Sequence, residues 1–141
     1  MAESLPEVRD TIYSLLVFAD IVDSSKYSAV LGYMEYARRL LDFQNTFEKL
    51  GKRYFPDPKD RSREYCSVMA RGDEGILFYA VTNPNFSELV FRSIEFIYHL
   101  KGRLRFAIDN KYEGSTSPRR IGLGAGIHVG KVAFATTQEN N

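Results

Sequence analysis

The run from Tyr13 to Val22, YSLLVFADIV, is apolar almost without interruption, rich in β-branched and aromatic residues, and ends in the polar cluster Asp23, Ser24, Ser25. That pattern predicts a short central strand buried on both faces. From about Tyr33 to Leu50 the apolar residues Tyr36, Leu40, Phe43, Phe47 and Leu50 recur every three or four positions, as on a helix with one buried stripe, and Gly51 is expected to end it. The charged stretch 52–64 carries Pro56 and Pro58, which continue neither a helix nor a ladder, so it reads as an exposed loop with Lys59, Arg61 and Arg63 on a solvated face. Tyr65–Ala70 and Gly75–Ala80 are short apolar segments joined by Arg71, Gly72, Asp73 and Glu74, which predicts a hairpin with carboxylates at its tip. Ser87 is expected to cap a long amphipathic helix whose inner side carries Leu89, Val90, Ile94, Ile97, Tyr98, Leu104 and Ile108. Beyond a Gly/Ser/Pro loop at 111–120, the stretch RRIGLGAGIHVGKVAFAT reads as two strands joined near Val129 and Gly130.

The resulting order is strand, helix, strand, strand, helix, strand, strand. It predicts an α+β fold, a mostly antiparallel sheet with helices packed on one face. No repeat, low-complexity tract or linker divides the chain, so one domain is expected over 13–136, between a leader at 1–12 and a polar tail at 137–141.

Composition narrows the functions open to such a domain. With 44% of its 141 residues hydrophobic, the chain can build a core without disulfides or structural metals, which excludes a disordered chain. Nineteen Lys and Arg balance eighteen Asp and Glu, so there is no general pull toward DNA, RNA or anionic lipid, and neither a nucleic-acid nor a membrane partner is expected for this segment. Any nucleotide chemistry must come from a local site. The single cysteine, Cys66, forms no internal bridge, no Cys/His cluster has zinc spacing, and the acidic N-terminus lacks signal-peptide character, which points to a reducing, cytoplasmic setting. The aromatic residues, 13% of the chain, follow helix and strand periodicity and indicate core rather than base-stacking platforms.

Chemistry concentrates in three segments. Asp20 is a charged residue at the end of an apolar run, and burying a carboxylate without a cation or several donors is costly. Asp73 lies at the predicted hairpin tip, and adjacent strands can bring it beside Asp20. Two carboxylates with a backbone carbonyl are the hard oxygen ligands that magnesium takes together with phosphates. A strand cap and a turn residue are the plainer reading of the same two aspartates. The third segment is the glycine-rich GLGAGIHVGKV, residues 122–132.

Taken together, FADIVDSS, ARGDEG and GAGIHVGKV resemble the catalytic domain of class III nucleotidyl cyclases, the adenylate and guanylate cyclase family. They are similar, in order, to the family's F-x-D-I-x-G-F-T stretch, its K-x-x-G-D hairpin and its G-I-H-x-G-x-V segment, over about Leu15 to Thr136. The resemblance implies a ferredoxin-like α+β core. It also implies that Asp20, Asp73 and the Ile21 carbonyl bind two Mg2+ or Mn2+ ions, and that a nucleoside triphosphate is converted to a 3′,5′-cyclic nucleotide and pyrophosphate for second-messenger signalling. The N–H groups of Val22, Asp23, Ser24 and Ser25 would cradle the phosphates. Lys131 either meets the triphosphate or is an ordinary strand-end lysine. His128 has no second ligand at metal spacing and reads as structural, while Asp23 and Glu74 read as solvated neighbours of the metal aspartates. Family active sites form between two chains, which implies a head-to-tail homodimer.

Two departures bear on substrate and completeness. Where adenylate cyclases carry a purine-reading lysine, four residues before the second aspartate, this chain has Met69, and a thioether donates no hydrogen bond. The glutamate typical of guanylate cyclases is also missing, which leaves Arg71 as the nearest polar side chain to read a base. The substrate class stays open among ATP, GTP and pyrimidine triphosphates, the last as in similar cyclases of bacterial antiphage defence. The family's later V-N-x-A-x-R segment has no counterpart up to Asn141, so the domain is expected to be incomplete at its C-terminus and inactive alone. Two alternatives are a catalytically inactive pseudo-cyclase that binds nucleotide or a partner, and a GGDEF-type diguanylate cyclase. RGDEG and DIVDSSK resemble the latter's motifs. The absent first glycine, Gly75 in place of phenylalanine, and the GIHVGKV segment count against it.

Overall fold

Strand β1 (Glu7–Ile21) is the spine of the computed structural model, which describes residues 7–22, 24–58, 65–81, 84–111 and 122–136. It is followed by α1 (Ser24–Leu31), α2 (Tyr33–Tyr54), the hairpin β2 (Tyr65–Arg71) and β3 (Glu74–Val81), then α3 (Phe86–Lys111) and β4 (Leu123–Thr136). The strands lie in the order β2-β3-β1-β4 with every neighbouring pair antiparallel, the ferredoxin-like arrangement. Among the described residues no helix is long and apolar enough to cross a membrane.

Residues alternate along β1, and toward its Asp20 end only one face is covered, whereas farther back Ser14 on the other face is buried together with its partner Ala80. Leu15, Val17, Ala19 and Ile21 are buried toward the helices, whereas Phe18, Asp20 and Val22 are exposed on the other face. The expectation of a strand buried on both faces is therefore corrected. Its outward residues are apolar enough to hide the alternation, but helices pack against one side alone. The strand also begins at Glu7, ahead of Tyr13.

The aromatic residues do supply the core. Phe43 and Phe47 from α2 meet with ring centroids 6.1 Å apart, Phe47 meets Phe96 of α3 edge-on at 5.3 Å, and Phe96 meets Phe55 at 6.5 Å. Gly51 does not stop α2, which continues to Tyr54. A Cβ at position 51 would come within 2.5 Å of Val68 Cγ1, so the glycine lets the helix lie close against β2. Gly75 works the same way on β3, where a Cβ would sit 2.5 Å from the Phe47 ring. Phe47 is fully buried and boxed in by Phe43 and Phe96, so it cannot yield. Gly75→Ala is expected to cost about 1–3 kcal/mol by overpacking. Gly126→Ala, on the open face with no neighbour within 4 Å, should be near neutral, and urea midpoints at constant m value test the contrast.

Helix α3 starts earlier than expected. Asn85 Oδ1 accepts the Glu88 N–H at 3.2 Å, so Asn85 rather than Ser87 is the cap. Its buried stripe is Leu89, Ser93, Phe96, Leu100 and Leu104, while Ile94 and Tyr98 are exposed. Ser93 enters the apolar stripe because its hydroxyl donates back to the Leu89 carbonyl at 2.7 Å, and a serine there misleads a periodicity reading. The C-terminal stretch is one strand, not two. Val129 and Gly130 pair with Leu15 and Ser14 in an uninterrupted part of the β1–β4 ladder.

The Cys66 thiol donates to the Phe55 carbonyl at 3.3 Å, and burial, assisted by the charge of Asp57, pushes its pKa up to about 11. Between the ordinary thiol range and that value the native state keeps a proton that the unfolded chain releases. Stability should therefore fall as pH rises through this window, and Cys66→Ala should remove that part of the decline in alkaline melting curves.

Candidate active site

Three separated segments meet at one end of the sheet. Asp20 pairs with Glu74, and the next residue, Ile21, donates its N–H to the Asp73 carbonyl at 3.0 Å. Gly72 and Asp73 form the two-residue hairpin turn, with Gly72 at φ +60°, a left-handed conformation suited to glycine. The end of the ladder thus brings Asp20 next to the turn that carries Asp73, 53 positions further along the chain. Their environments differ. Asp20 is exposed on the open face, so its carboxylate carries no burial cost of the kind its apolar run suggested. Asp73 is half-buried, and its Oδ2 accepts the Ser24 hydroxyl of α1 at 2.5 Å.

The residues around this pair fit a divalent cation. A Cβ at Gly124, opposite Asp20 on β4, would collide with Asp20 Oδ1, so the glycine leaves the carboxylate its place. Asp20, Asp73 and the Ile21 backbone put hard oxygen donors at the same end of the sheet, with Asp73 turned toward Ser24 of α1. Among the described residues no three His, Cys, Asp or Glu side chains form a metal cage. Such a pair would leave coordination positions to phosphate and water, as magnesium sites commonly do.

The register orders the open face into rows. Arg71, Glu74, Asp20 and Gly124 form the row nearest the turn, and Met69, Ile76, Phe18 and Gly126 form the next. Met69 and Arg71 are thereby brought onto the same face as Asp20. Glu74 stands between Arg71 and Asp20. His128 follows one row further, opposite Leu16, where it is exposed rather than held in the core.

Other expected phosphate contacts are only partly assembled. The Val22 N–H already donates to the Gly122 carbonyl at 2.9 Å and is committed to the β1–β4 ladder. Asp23 lies outside the described residues. Ser24 and Ser25 open α1, where the first N–H groups of a helix have no intrahelical acceptor. Lys131 is not brought to the site. It pairs with Tyr13, seven residues from Asp20 along β1 and so about 23 Å away at the usual strand rise, and it lies over the Tyr13 ring at 5.6 Å. An odd-numbered separation places it on the helix-covered face.

Gln44, Gly124 and the Ser24 hydroxyl were not legible as parts of the site. Gln44 Nε2 donates to the Gly72 carbonyl at 2.9 Å, a contact between helix and turn that no spacing announces. Gly124 was within a quoted motif, and pairing that motif against β1 would have set it opposite Asp20.

No family model matches the sequence, and no curated protein matches it. Among solved structures, the chain is similar to the adenylyl cyclase CyaB from P. aeruginosa, with a TM-score of 0.68 at 14% sequence identity. The match covers 90% of this chain and 60% of that one. The chain has a cyclase-like fold.

Proposed function

We propose that this chain carries the aspartate half of a metal-dependent nucleotidyl cyclase that forms a 3′,5′-cyclic nucleotide and pyrophosphate from a nucleoside triphosphate. The observation carrying the reading is the placing of Asp20 at the last pair of the β1–β3 ladder, beside the turn residue Asp73, within a cyclase-like fold, with Gly124 clearing room for the Asp20 carboxylate. Asp20, Asp73 and the Ile21 carbonyl would hold two Mg2+ or Mn2+ ions. Bound there, the ions would acidify the ribose 3′-hydroxyl and neutralise the triphosphate. The protein's own part is positional. The Ser24 and Ser25 N–H groups at the start of α1 would meet incoming phosphate oxygens, and Arg71 and Met69, in successive rows of the open face, would offer the base one guanidinium and a thioether.

The open face is the surface on which a second copy would complete the site as a head-to-tail homodimer. Apolar Phe18, Met69 and Tyr65 lie on it, and no charge row crosses its middle. Cyclic product for signalling, including a cyclic pyrimidine nucleotide in antiphage defence, is compatible with a base pocket that lacks the lysine of adenylate cyclases.

Because this chain is read as the aspartate half, the test pairs it with a chain that supplies the asparagine and arginine of the V-N-x-A-x-R segment and follows Mn2+-dependent formation of cyclic nucleotide and pyrophosphate from ATP, GTP, CTP and UTP in parallel. The expected result is turnover without strong preference for ATP, because discrimination by hydrogen bonding needs a placed donor or acceptor that Met69 does not supply. An ATP preference that survives Arg71→Ala would show that the base is read elsewhere. Tight Mn2+-dependent triphosphate binding without product would favour the pseudo-cyclase.

A further inference from the structure

The hairpin turn that carries Asp73 is held from three sides. Ile21 of β1 donates to the Asp73 carbonyl at 3.0 Å, Gln44 of α2 donates to the Gly72 carbonyl at 2.9 Å, and Ser24 of α1 donates to Asp73 Oδ2 at 2.5 Å. A two-residue turn on an exposed hairpin is ordinarily among the looser parts of a fold. Here both of its carbonyls and its one carboxylate are tied to different elements. The Ser24 bond is the informative one. A hydroxyl donating to a carboxylate is short and charge-assisted, fixes the rotation of the carboxylate, and leaves Oδ1 and the second lone pair of Oδ2 available to a cation. Ser24 also opens α1, so the same residue joins the carboxylate to the N-terminal end of that helix. In the family stretch that FADIVDSS resembles, this position is phenylalanine, which has no hydroxyl.

We propose that Ser24 is a positioning residue that holds Asp73 in its cation-binding orientation, with Gln44 bracing the turn behind it. The proposal rests on reading Asp73 as an ion ligand. Metal sites lose affinity when the partners of their ligands are removed, typically about 10- to 100-fold, even though those partners never touch the ion.

Titration with Mn2+ alone, followed by calorimetry and by water-proton relaxation, tests it without turnover. Ser24→Ala is expected to weaken Mn2+ binding within that range while the melting temperature stays close to wild type, and Ser24→Thr, which keeps the hydroxyl, should restore affinity. Gln44→Ala, whose bond is exposed, should fold normally, speed amide exchange at the turn and weaken Mn2+ binding to a lesser degree. Wild-type affinity in Ser24→Ala, or a threonine variant as weak as the alanine one, would overturn the role of Ser24 and leave the Asp20 and Asp73 assignment standing. Saturable Mn2+ binding missing from the wild type would overturn that assignment and this proposal with it.

Discussion

Asp20→Asn and Asp73→Asn are each expected to remove Mn2+-dependent triphosphate binding and to lower any turnover by at least about a hundredfold, the scale of losing one electrostatic element of an active site. The two variants should separate in stability. Asp20 is exposed and sits directly across from Glu74, a like-charged pair on the same face, and such pairs are destabilising. Neutralising Asp20 relieves that repulsion, so the apo protein should hold or slightly gain stability. Asp73 is half-buried and accepts the Ser24 hydroxyl, so Asp73→Asn exchanges a charge-assisted bond for a neutral one and should lose a little. Calorimetric titration with Mn2+ and a triphosphate analogue, beside thermal melts of both variants, checks both halves. Affinity equal to wild type in either variant would end the metal-site reading.

Turn chemistry made the hairpin legible. Arg71, Gly72, Asp73 and Glu74 between two apolar segments announced a hairpin, and the structure tightens the connection to Gly72 and Asp73, with Arg71 and Glu74 joining the strands. Apolar patterning also separated helix from strand along most of the chain, because the core is built from residues at those periods, Phe43 and Phe47 among them. The losses share a physical origin. An apolar side chain that faces the core and one that faces away are the same letter, so Phe18 and Leu16 extended the apolar run of β1 and concealed its open side. A glycine placed for close approach resembles one placed for a turn. Gly51 was read as a helix end and Gly130 as a strand junction, yet each lies inside a continuous element. Lys131 failed for a related reason. A motif fixes order along the chain, whereas distance and face follow from register, and the register of β4 against β1 carries Lys131 to the middle of the ladder, opposite Tyr13.

Phe18→Asp should abolish self-association while leaving the fold standing, whereas Phe47→Ala should undermine the fold itself. Phe47 is fully buried at the centre of the aromatic core, and truncating such a ring costs about 3–5 kcal/mol, a large part of a small domain's stability. Phe18 is 38% exposed in the middle of the open face, between Ile76 and Gly126, with Met69 in the same row at 54% exposed. Aspartate there meets no wall of packed side chains and should shift the melting temperature little in the monomer. In a symmetric pairing of this face, each substitution occurs twice. If Phe18 anchors the contact at about 2 kcal/mol per side, the doubled loss is about 4 kcal/mol, or roughly a thousandfold in dissociation constant. Sedimentation equilibrium across a concentration series, for wild type and both variants, reads this directly. A wild type that remains monomeric at the highest concentration, or a Phe18→Asp variant that associates as the wild type does, would mean that the open face is not where two copies meet. The aspartate half of the site would then need its other half from a different surface.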